Sequence, residues 1–112
     1  MIPFNNLLGA VRDLASIYPD RQTPAVYWDY IMDCPGDIIG TALYQLDVGI
    51  PLEHNDRDVS SLHWRQLGFA GVFGPALRWL QFVQDFGDKG YVWGRCVAAA
   101  DELFPFIPEA VA

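Results

Sequence analysis

Cysteine is scarce in this chain, and the spacings typical of metal sites are missing. The 112 residues include two cysteines and two histidines, and no CxxC or HxxxH pair occurs among them. Structural zinc sites usually draw their ligands from such pairs, which argues against zinc held by Cys34, His54, His63 and Cys96. We expect no metal, no cofactor and two free thiols.

The sequence also lacks a long apolar run and a basic patch, and we expect no secretory leader. No apolar stretch reaches the ~18–20 residues of a membrane span, and Arg12 and Asp13 interrupt the first apolar stretch. The net charge of -7 repels the phosphates of nucleic acids and the headgroups of anionic membranes. We therefore expect a cytoplasmic protein that binds neither nucleic acid nor a membrane.

Sequence motifs of common enzymes are absent as well, including GxGxxG, GxxxxGK[ST] and GxSxG. Cys34 is the best nucleophile candidate, because a helix is predicted to begin there and His54 or His63 could supply a base. The acidic neighbours Asp33 and Asp37, however, disfavour a thiolate. We expect Cys34 to be a capping or packing residue, and a small hydrolase or transferase using Cys34 with His54 or His63 is the alternative.

Apolar residues are abundant and follow a helical pattern. Hydrophobic residues make up 52% of the chain and charged residues 19%, which is typical of a folded domain. We predict one mainly α domain over residues 1–112, a compact bundle of about five short helices with at most a short β-strand or hairpin. The proline-rich residues 104–112 are predicted to form an extended tail.

The helices are placed by apolar residues three and four apart and by residues that favour helix ends. Gly49 is expected to cap the second helix at its carboxyl end, and Trp93 to anchor the last helix in the core. The helices are expected from residue 5 or 6 to about 18, from within 33–37 to 49, from 58 or 60 to 68, over 76–86 and over 91–103.

Residues 25–31 differ from the rest because they are β-branched and aromatic, which favours a short strand. The backbone of a strand needs partners, either another extended piece such as residues 48–52 or a strand of a second protein molecule. Exposed rings mark binding surfaces, so Tyr27, Trp28 and Tyr30 are predicted protein-binding residues. A core strand buried on both faces is the alternative.

Several segments carry a resemblance to known proteins. They are residues 34–43 (CPGDIIGTAL), 46–52 (LDVGIPL), and a stretch from 83 through Gly90 to Ala98. Together they resemble small uncharacterised proteins of actinobacteria and their bacteriophages. The resemblance implies no activity, but it implies an origin in a GC-rich actinobacterium or its phage. That origin agrees with a basic composition of six arginines and one lysine.

These observations favour a small non-enzymatic protein-binding or regulatory protein that acts on a host or phage protein. The expected partner is a protein, either a different one or a second copy in a homodimer. Besides the enzyme alternative, a minor structural subunit of a phage particle remains open.

Overall fold

The computed structural model describes residues 1–22 and 26–104, and within them the chain is mainly α-helical, as predicted. Two small sheets accompany the helices, one parallel (β1 with β4) and one antiparallel (β2 with β3). The elements are β1 (Ile2–Pro3), α1 (Phe4–Ile17), β2 (Trp28–Asp29), β3 (Cys34–Pro35), α2 (Ile38–Gln45), β4 (Phe69–Ala70), α3 (Gly74–Asp88) and α4 (Trp93–Leu103), with 3-10 helices at Leu52–His54 and Val59–Ser61.

The described residues contain four α-helices, where about five were predicted. The helix expected between residues 58 and 68 is a single 3-10 turn, Val59–Ser61, followed by further turns. At Val59, hydrogen bonds to side chains take the place of the backbone hydrogen bonds of a helix. Gln84 Oε1 accepts from Val59 N at 2.9 Å, and Trp64 Nε1 donates to Val59 O at 2.8 Å. The predicted tail falls almost wholly on residues 105–112, which lie outside the described residues.

One hydrophobic core joins the four helices. The periodic apolar residues of α1 are buried, as are those of α3, which contacts the other three α-helices. The bulky side chains that are almost fully buried include Phe4, Leu7, Leu8, Val11, Leu14, Ile39, Leu43, Phe69, Trp79, Leu80 and Trp93.

An aspartate lies at each end of α2. Asp37 caps the start, accepting a hydrogen bond of 2.7 Å from Gly40 N, so the helix begins four residues after Cys34 rather than at it. At the other end Asp47 N donates to Tyr44 O at 3.0 Å and Val48 N donates to Leu43 O at 2.9 Å. This is a Schellman ending with Asp47, not the predicted Gly49, in the left-handed conformation.

Candidate functional site

A short hairpin contains the predicted binding residues. Strand β2 pairs antiparallel with β3, placing Trp28 opposite Pro35 and Asp29 opposite Cys34. The Asp29 carboxylate closes the loop by accepting hydrogen bonds of 3.0 and 3.1 Å from the backbone N–H groups of Ile31 and Met32. The predicted strand therefore finds its partner at residues 34–35 of its own chain, and the suggested pairing with residues 48–52 is wrong.

The outer edge of β2 is also closed. Asn55 Oδ1 accepts from Trp28 N at 2.9 Å, and Asn55 Nδ2 donates to Trp28 O at 3.0 Å. The side-chain amide thus takes the place that a neighbouring strand would fill. Trp28 has no backbone group left for strand addition, so any binding at this hairpin uses side chains.

Tyr27 is a core residue and lies beneath the surface on which it was predicted. Its side chain is 2% exposed. The hydroxyl donates to Arg57 O at 2.7 Å and accepts from Gln84 Nε2 at 2.9 Å. Burial raises its pKa above the ordinary tyrosine value. This ring therefore anchors the hairpin to α3, and for Tyr27 the alternative of a core position agrees with the structure.

An open cleft of about 310 Å³ separates the hairpin from the end of α2. The rings of Trp28 and Tyr44 meet on its wall, with centroids 5.7 Å apart and planes inclined by 45°. We call it the aromatic cleft, and the lining residues that matter below are Trp28, Tyr30, Leu43, Tyr44, Asp47 and Ile50.

Large apolar side chains are exposed beside the cleft. Tyr30 and Tyr44, which line it, are 52% and 60% exposed, and the adjoining loop residues Ile31 and Met32 are 94% and 70% exposed. We call Ile31 and Met32 the hairpin tip. Clustered apolar side chains of this size are the usual mark of an interaction surface.

Sequence reasoning missed Tyr44, Asp47 and Asn55. Tyr44 falls outside the apolar stripe of α2, which was a sign that its ring would be exposed. Asn55 looks like an ordinary surface residue in the sequence, because its role depends on Trp28, which is distant along the chain. Asp47 was missed because Gly49 was expected to end α2.

The residues proposed for catalysis are not joined into a catalytic arrangement. Cys34 is exposed on β3, and within residues 1–22 and 26–104 no hydrogen bond joins it to His54 or His63. The two histidine rings lie near one another instead, with centroids 6.2 Å apart. Cys96 is buried at the core, donates to Tyr91 O at 3.5 Å, and has its pKa raised to about 11, chiefly by burial.

The described part of the chain holds no group of three or more histidine, cysteine, aspartate or glutamate side chains arranged to bind a metal ion. Both cysteines are free thiols. In the same part of the chain, no helix has the length and apolar character needed to cross a bilayer.

A buried carboxyl group lies beneath the hairpin. Burial raises the pKa of Asp37 to about 7; the charge of Asp88 acts in the same direction and the hydrogen bond from Gly40 N opposes them. The pKa of Asp88 is raised too, first by burial and then by Asp85 and Asp58. The fold therefore favours Asp37 in its neutral form.

This pKa predicts that the protein loses stability as the pH rises toward neutrality. An unfolded aspartate titrates near 3.9, so the contribution of Asp37 is complete below about pH 4, is lost progressively as the pH rises, and is gone once the pH passes about 7. We expect the melting temperature to fall between pH 5 and pH 8, and Asp37→Asn, which keeps a capping oxygen, to flatten the fall. A variant with the same pH profile as the parent would assign the effect to other groups.

Comparisons with known proteins found no matching family model, no matching curated protein and no matching solved structure.

Proposed function

We propose that this chain is a non-enzymatic binding protein that captures a protein partner through the hairpin tip and the aromatic cleft. The observation that carries the proposal is the hairpin tip, where Ile31 and Met32 are 94% and 70% exposed on a loop whose backbone is already hydrogen-bonded. Such side chains contribute nothing to the core, and they cost solubility unless something covers them.

The aromatic rings beside the hairpin tip favour a role in binding rather than a purely structural role for this region. Interfaces derive much of their energy from aromatic residues that lose water on contact, and Trp28, Tyr30 and Tyr44 line one cleft. The hairpin is held firmly, by Asn55 on its outer edge and by Tyr27 beneath it. A surface that is already ordered loses little entropy when it binds.

The proposed partner is a phage or host protein, or a second copy of this chain. The proposed action is regulatory and takes place in the cytoplasm. The resemblance to proteins of actinobacteria and their bacteriophages supports this choice. The absence of a hydrogen bond between Cys34 and either histidine, within the described residues, makes binding the better supported function.

The hairpin tip provides the first test. We expect the double substitution Ile31→Ser and Met32→Ser to weaken self-association in sedimentation velocity, or capture of a lysate protein, by at least about tenfold, equivalent to about 1.4 kcal/mol. Its melting temperature should stay close to that of the parent, because both side chains are exposed.

Ile17→Ser is the matched control, since Ile17 is 65% exposed at the end of α1. It removes an exposed apolar side chain from another element and should leave association unchanged. An equal loss of association in both variants would indicate nonspecific hydrophobic association rather than a binding surface. No loss of association in either variant would contradict the proposal.

A further inference from the structure

Asp47 lines the aromatic cleft in a conformation that is unfavourable for the fold. Its φ angle is 60°, in the left-handed region that glycine adopts far more readily than other residues. It also follows the last turn of α2, where the helix dipole disfavours a negative charge. Glycine would stabilise this end of the helix more than aspartate does, because it adopts the left-handed conformation readily and carries no charge.

The Asp47 carboxylate has no internal use that offsets this cost. Within residues 1–22 and 26–104 it makes no hydrogen bond and no ion pair, and the residue is exposed. An unfavourable backbone conformation held at a cleft is a recurring mark of a functional position. The carboxylate is therefore a candidate ligand-binding group.

Elsewhere in the chain, an aromatic ring and a carboxylate together bind an arginine side chain. The guanidinium carbon of Arg12 lies 4.9 Å from the ring centroid of Trp79. Both oxygens of Asp101 accept from Arg12, at 2.6 and 2.7 Å, and Trp79 Nε1 donates to the same carboxylate at 2.9 Å. Arg12 is thus stacked on the ring of Trp79 and paired with both carboxylate oxygens of Asp101.

A second arginine repeats the stacking. The guanidinium carbon of Arg21 lies 4.1 Å from the ring centroid of Tyr18 and 5.1 Å from that of Trp93. The aromatic cleft has the same components, namely the rings of Trp28 and Tyr44 and the acid Asp47, but none of the described residues that line it is basic.

We infer that the aromatic cleft receives an arginine side chain from the partner protein. The inference rests on the proposed function and names the group that the partner presents. A planar guanidinium stacks on aromatic faces, and its paired N–H groups match the two oxygens of a carboxylate. The net charge of -7 also draws a basic segment toward this surface.

Titration with two peptides tests the chemistry directly. One blocked pentapeptide carries arginine between two pairs of glycines; the other carries citrulline, which keeps the shape but is uncharged. We expect the arginine peptide to shift the indole N–H resonance of Trp28 in a saturable way. The citrulline peptide should bind at least about tenfold more weakly, and equal binding would overturn the inference.

Two substitutions at Asp47 separate the carboxylate from the backbone conformation. Asp47→Asn keeps a residue that tolerates the left-handed region, whereas Asp47→Gly also removes the strain. We expect each to weaken binding of the arginine peptide about tenfold, and Asp47→Gly to melt at a higher temperature than the parent. Asp13→Asn, on the exposed face of α1, should leave binding unchanged; undiminished binding by Asp47→Asn would contradict the role of the acid.

The outcome also distinguishes this inference from the proposed function. If hairpin-tip substitutions abolish association but the parent ignores the arginine peptide, the binding function stands and arginine recognition is wrong. If the parent binds the peptide but the tip substitutions leave association unchanged, the arginine site stands and the proposed role of the hairpin tip is wrong.

Discussion

Replacing Trp93 by alanine should destabilise the protein by about 3–5 kcal/mol, the range found for large aromatic residues removed from cores. Trp93 begins α4 and is only 2% exposed. Its backbone N–H donates to Arg21 O at 2.9 Å, and its ring meets that of Tyr18 at a centroid distance of 6.5 Å. The ring therefore fastens the last helix to the segment that follows α1.

Urea unfolding monitored by far-UV circular dichroism measures this loss. A domain is typically stable by about 5–15 kcal/mol, so the variant should unfold at a much lower urea concentration. Tyr91→Ala is a useful control, since Tyr91 is 45% exposed just before the same helix. An unfolding curve for Trp93→Ala that matches the parent would show that the ring is not part of the core.

Adding a single methyl group at Gly40 should have a comparably large effect. A Cβ there would overlap the carbonyl oxygen of Tyr27 and lie 2.6 Å from the Tyr27 Cα. That backbone cannot withdraw easily, because Gly36 N donates to Tyr27 O at 2.8 Å and Asn55 holds the next residue. We expect Gly40→Ala to cost about 3 kcal/mol or more, at the upper end for overpacking.

Gly87→Ala provides the matched control, because it makes the same change in a helix with free space. A Cβ at Gly87 meets nothing within 4 Å, and alanine is favoured over glycine in helices by up to about 1 kcal/mol. Urea unfolding should therefore move in opposite directions for the two variants. A neutral Gly40→Ala would mean that α2 does not pack against the hairpin at this distance.

The sequence predicted those features that depend on neighbouring residues. Apolar spacing located α1, α3 and α4 to within a few residues. The error at residues 58–68 has a physical cause. Gln84, which lies outside the segment, accepts from Val59 N, and the side chain of Trp64 donates to Val59 O. Apolar periodicity carries no information about such side-chain partners.

The candidate site was predicted only in part for the same reason. The alternation of rings at residues 27–30 indicated a functional segment, and the structure exposes Tyr30 but buries Tyr27. The buried Tyr27 hydroxyl accepts a hydrogen bond from Gln84, which is distant in sequence. Asn55, which closes the strand edge, and Asp47, which ends α2 in place of Gly49, have no local signature that marks these roles.

Trp28→Ala tests the central claim most directly, because Trp28 joins the hairpin and the aromatic cleft. The ring is half-buried and contacts Tyr44, so its loss should lower the melting temperature less than the loss of Trp93 does. We predict that sedimentation velocity, or capture of a lysate protein, will show association weakened at least about tenfold, as for a residue at the centre of an interface. A parent that stays monomeric and captures no protein would contradict the account. A variant that unfolds as readily as Trp93→Ala would also contradict it and would make Trp28 a core residue.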